Sequence, residues 1–132
     1  MTTTERTVPD RLRFWFIVHF AIDFLFAVPL LLAPEFTLNL FGWTTVDPLA
    51  SRLVGAALMG IGGESLLGRN ASVEVFRAML DLKIIWSLSA IFGIGASMAA
   101  GGPWMGWVLL GILGLFCALW IHYRRQLRPS EG

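Results

Sequence analysis

Charge is scarce in this chain of 132 residues. Asp, Glu, Lys and Arg make up 14% of it while 56% is hydrophobic, against about 25% charged in an ordinary soluble domain. That ratio excludes both a soluble globular domain and a disordered, solvated one. There is one cysteine, Cys117, so no internal disulfide and no CxxC redox pair can form, and its apolar neighbours suit a buried, inert thiol. The two histidines, His19 and His122, lie on different stretches at different depths, too few for the three or four converging ligands of a metal site. Glycine is plentiful but dispersed, and Gly62-Gly63 falls inside an expected helix rather than after a strand, which removes a phosphate-cradling loop. No nucleophile, base and orienter can be assembled. Nothing therefore points to an enzyme, to a bound cofactor or to nucleic acid as a partner.

Long apolar runs are what the chain does have. The one that organises the rest is Phe14 to Ala33, FWFIVHFAIDFLFAVPLLLA, twenty residues of hydrocarbon interrupted near the middle by Asp23. A bilayer core of about 30 Å takes about 20 such residues per helix. Three more stretches of similar length follow, giving expected helices at about 14–33, 48–67, 78–100 and 103–123. Helices are the form that leaves no backbone group unpaired in lipid, and barrel strands would be shorter and alternating. The expected fold class is all-α: one antiparallel bundle of four transmembrane helices over 14–123, flanked by tails at 1–13 and 124–132. The first run is too long for a signal-peptide core and has no convincing cleavage site, so it is expected to be retained.

Short connections carry readable punctuation. Pro34 to Val46 is too short and too polar to span and reads as an amphipathic segment lying in the interface, with Phe36, Phe41 and Trp43 dipping into it. Asp47-Pro48 is a helix start, with Asp at the N-cap and Pro at N1. Ser51, Gly55, Ala56 and Gly60 form small-xxx-small pairs on the second helix that admit a close neighbour. Ser89, Gly93 and Ser97 on the third helix are their expected mate, and Gly111, Gly114 and Ala118 are the close-contact positions of the fourth. Short turns predict that helices two and three, and three and four, are antiparallel neighbours.

Basic residues set the expected orientation. Arg6, Arg11 and Arg13 precede the first span, Arg69, Arg77 and Lys83 surround the middle turn, and Arg124, Arg125 and Arg128 follow the last; Arg52 alone lies on the other side. Nine to one predicts that both termini and the middle turn are cytoplasmic.

Polar residues within the spans are the candidate site. Trp15, His19 and Asp23 are four apart and share one helix face. A carboxylate near the midplane costs at least about 2.5 kcal/mol on insertion scales, so Asp23 must face the interior and find a partner or be protonated. Arg52 could snorkel outward or reach inward to it, and His19 is one turn away. Asp23, His19 and Arg52 are the candidate intramembrane polar site, as a proton or cation site with His19 as relay or as a buried structural pair. Glu64, Arg77, Asp81 and Lys83 read as charges at the inner interface, with Arg77 and Asp81 four apart and able to pair.

Pro34, Phe41-Gly42-Trp43, Asp47-Pro48 and Arg52-Leu-Val-Gly55 with Gly60 and Gly62 resemble the small four-helix bacterial membrane proteins grouped as DoxX-like, over about Phe14 to Ala100. The resemblance implies a multi-pass protein of the bacterial cytoplasmic membrane acting as a non-catalytic accessory subunit beside another membrane protein, or as a homo-oligomer, with Arg52 and Asp23 as its polar centre. A small proton-coupled transporter using Asp23 is the alternative. A membrane-embedded ligand-binding protein or enzyme is the third reading.

Overall fold

The computed structural model describes residues 7–127 and, among them, is all-helical. Five helices follow in order: α1 Asp10–Leu32, α2 Pro34–Leu40, α3 Pro48–Leu67, α4 Val73–Ala99 and α5 Met105–Gln126. Three of them, α1, α4 and α5, are long and apolar enough to cross a membrane. Only 17% of the most apolar stretch of α4, and of α5, is buried inside the protein, so most of that hydrocarbon faces outward, as Leu25, Phe92 and Leu115 do. In water such a surface would aggregate; in lipid it costs nothing.

Local chemistry sets the helix starts. Asp47 caps α3, its Oδ1 accepting from the Leu49 and Ala50 amides at 2.9 and 3.1 Å, with Pro48 at the first helical position. Ser72 caps α4 through the Val75 amide, so α4 begins at Val73 rather than about 78. Helix α1 starts at Asp10 rather than Phe14 because Leu12, with Val8 before it, is buried in the core. Arg6 and Arg128 lie outside the described residues. The 34–46 segment forms the short α2 and a turn at Gly42, whose φ of +98° is one that glycine adopts without strain. Phe36 is exposed, but Phe41 and Trp43 turn inward onto a cavity.

The helices pack as two antiparallel pairs. Close backbone approach is concentrated between α1 and α3 and between α4 and α5, so α3 takes α1 as its mate rather than α4. The reason lies in which small residues face a neighbour. A Cβ on Gly55 would stand 3.1 Å from the Ala27 carbonyl, and one on Gly62 would stand 2.7 Å from Asp23 Cβ, whereas Gly60 meets nothing. The seam is therefore Ser51, Gly55, Gly62 and Ser65, at steps of four, seven and three that return to one side of the helix. Gly93, Gly111 and Gly114 also meet nothing; it is Gly106 that lies against α4, at Met98.

The pairs meet firmly at one end only. Phe16 stacks on Phe76 at 4.6 Å and meets Trp120 edge-on at 5.6 Å, and with Leu12, Met79, Leu80 and Tyr123 these form the buried apolar core. Trp120 is fully buried there. This end carries the starts of α1 and α4 and the end of α5, and is called the basic end below. The opposite end carries α2.

Candidate functional site

At the boundary of that core, three helices bring polar groups together. Lys83 of α4 is 2% exposed; its Nζ lies 2.9 Å from His19 Nδ1 of α1 and donates to Ser65 Oγ of α3. Ser65 passes the chain on, its hydroxyl donating to the Ile61 carbonyl at 2.9 Å. The ammonium also lies 4.9 Å from the Phe16 ring centroid and 5.3 Å from that of Trp120, within the range of cation–π attraction. Lys83 is thus an interior residue and not an interface charge: His19, Ser65 and two aromatic faces replace its water. It is also a direct polar link between the two helix pairs.

Asp23 approaches His19 at the same ring nitrogen. Its Oδ2 is 3.3 Å from the same His19 Nδ1 and has no hydrogen-bond partner among the described residues. One ring nitrogen offers either a lone pair or a proton. With the Lys83 ammonium donating to it, Nδ1 has no proton for Asp23, so the carboxylate is approached but not satisfied. Lys83 itself makes no ion pair within 4 Å among the described residues.

Beyond Asp23 the helix pairs part. A cavity of about 560 Å³ lies between them, lined by α1 from His19 to Leu30, by α3 from Ala50 to Leu58, and by facing stretches of α4 and α5, with Leu38, Phe41 and Trp43 completing the wall. Its lining is apolar and aromatic; Asp23 is its one charged residue and His19 its one other titratable group. Ser89 and Gly93, expected to receive α3, line this space instead. Small side chains on α4 that meet no neighbouring helix are what leave it open.

The other expected site residues lie elsewhere. Arg52 does not join Asp23: its Nε donates to the Leu31 carbonyl at 3.2 Å at the end of α1, which supplies a donor for an orphan helix-terminal carbonyl. Asp81 pairs with Arg124 of α5, at 2.7 and 3.3 Å, rather than with Arg77, whose Nε is buried without a partner among the described residues. Glu64 is exposed. His122 meets Gln126 on the surface of α5 at 3.1 Å. Lys83 and Ser65 are the members that a charge-by-charge reading misses. The available signal is period: Val73, Phe76, Met79, Leu80, Lys83 and Ser87 are the buried positions in the first half of α4, spaced as one helix face.

No group of three or more metal-ligating side chains occurs among the described residues. No family model, curated protein or solved structure matches the chain.

Proposed function

We propose that this is a four-helix integral membrane protein that holds a small, largely apolar molecule in the cavity between its two helix pairs. The observation that carries the reading is the cavity itself. It combines about 560 Å³ of apolar space with one polar floor, the usual composition of a small-molecule site. Helix α3 is treated as the fourth span because its 20 residues, at 1.5 Å each, reach about 30 Å and lie antiparallel against the spanning α1. Arg13 donates to the Arg69 carbonyl and Arg124 pairs with Asp81, which supports a single basic end and, by the positive-inside rule, cytoplasmic termini. The accessory role implied by the DoxX-like resemblance is compatible with binding, the cavity then being what this chain contributes to a larger assembly.

Native mass spectrometry of the protein extracted gently from its own membrane tests this. The expected result is one small molecule retained per chain and lost in Gly93→Leu, which fills space where no neighbour stands. A bare wild-type chain, or the same adduct in the variant, would reject the reading. Proton-coupled transport is the second reading, favoured by Asp23 lying at both the cavity and the His19–Lys83 chain; it requires that Asp23→Asn abolish flux in vesicles that the wild type supports.

A further inference from the structure

We infer that the molecule held in this cavity is a lipophilic amine, bound as its ammonium to Asp23. The inference rests on the ligand-binding reading above and gives its ligand a chemical class. Asp23 is 6% exposed and lines the cavity; its Oδ2 is enclosed beside His19 and Gly62 without a hydrogen-bond donor, so a ligand in the cavity meets the carboxylate at its remaining exposed edge. A buried carboxylate that is left unpaired is costly, and the groups that could pair it within the protein are otherwise engaged. The nearest cation, Lys83, is held by His19 Nδ1 and Ser65 Oγ; it shares that ring nitrogen with Asp23 but makes no ion pair with the carboxylate within 4 Å. Arg52 is held at the end of α1. From α3 the residue facing Asp23 is Gly62, which brings no donor side chain.

The rest of the cavity fits the same ligand. Its wall offers no second charge of either sign, so Asp23 is the one charged group that a ligand there would touch. Phe26, Phe41, Trp43, Trp86 and Phe116 line the space, and aromatic faces accept both an apolar body and a passing ammonium. An anionic ligand would meet a carboxylate in apolar surroundings and be repelled. A neutral alcohol could donate one hydrogen bond but would bring no charge to the carboxylate. An ammonium supplies the donor and the charge together, and a charge-assisted hydrogen bond is roughly twice as strong as a neutral one.

Three probes that share one skeleton separate the possibilities: 1-pyrenemethylamine, 1-pyrenemethanol and 1-pyrenecarboxylate, titrated into the whole protein in a neutral detergent. Binding is read as energy transfer to pyrene from tryptophan, since Trp43 and Trp86 line the cavity. Gly93→Leu supplies the background from probe dissolved in the micelle. The expected result is binding of the amine at least about tenfold tighter than the alcohol, a difference of about 1.4 kcal/mol, with the carboxylate weakest. Asp23→Asn should bring the amine to within about twofold of the alcohol while the alcohol's own affinity holds. Equal binding of amine and alcohol by the wild type, or preference for the carboxylate, overturns the amine assignment and leaves the ligand-binding reading standing. If no probe gives a signal above that of Gly93→Leu, both fail. The wild-type ratio of amine to alcohol decides the matter even if Asp23→Asn does not fold.

Discussion

The two ends of the interface between the helix pairs are built from the same four long helices and differ in whether the side chains that face one another across it fill the space between. At the basic end Phe16, Phe76 and Trp120 fill the space and are fully buried. Toward α2, Ala50, Ala90 and Gly93 line a cavity of about 560 Å³ instead. One end ties the pairs together and the other keeps them apart. The Lys83–His19–Asp23 chain lies where the two regimes meet, so that the ammonium is enclosed by the core and the carboxylate is left at the cavity.

The largest effect should come from breaking the packed end. Trp120→Ala removes a ring that touches both Phe16 and His19 and is expected to cost about 3–5 kcal/mol, read by unfolding in detergent; a change under about 1 kcal/mol would mean that the core does not hold the pairs together. Next is Gly62→Ala, which forces α3 away from Asp23 and should cost about 1–3 kcal/mol as overpacking. Gly60→Ala, in open space two residues away, is the control and should be neutral or slightly stabilising. Gly93→Leu sharpens the contrast: filling the open end should change stability by less than about 1 kcal/mol, because no neighbour is displaced, while probe binding disappears. The smallest effect is expected at Arg124→Gln. It breaks an ion pair whose Asp81 side chain is 51% exposed, and such a pair contributes about 0.2–1 kcal/mol; a larger loss would show that Asp81 and Arg124 fasten α4 to α5 more firmly than their exposure implies.

Much of this architecture is legible along the chain. Apolar runs of bilayer length mark α1, α4 and α5 because no other solvent tolerates them, and the Asp47-Pro48 start is a local event between neighbouring residues. Asp23 and His19 stand out as an acid and an imidazole one turn apart in hydrocarbon, and they do meet. Lys83 is less legible because its charge suggests water while its position on the buried face of α4 suggests the core, and only the enclosure made by Phe16, Trp120, His19 and Ser65 decides between them. Arg52 errs the other way: within side-chain reach of the midplane by length, it finds an acceptor sooner, at the Leu31 carbonyl.

What the sequence by itself determined is the solvent, the helices and the presence of one intramembrane carboxylate, since these follow from the cost of burying charge and backbone groups in lipid. Which glycines are contacts and which are vacant surface was decided only in three dimensions. Small residues permit a close neighbour without naming it, so Gly55 and Gly62 become a seam with α1 while Gly93 becomes the wall of a cavity. The unpaired state of Asp23 was settled at the same level, because it depends on Lys83 reaching His19 from a helix 64 residues away in the chain.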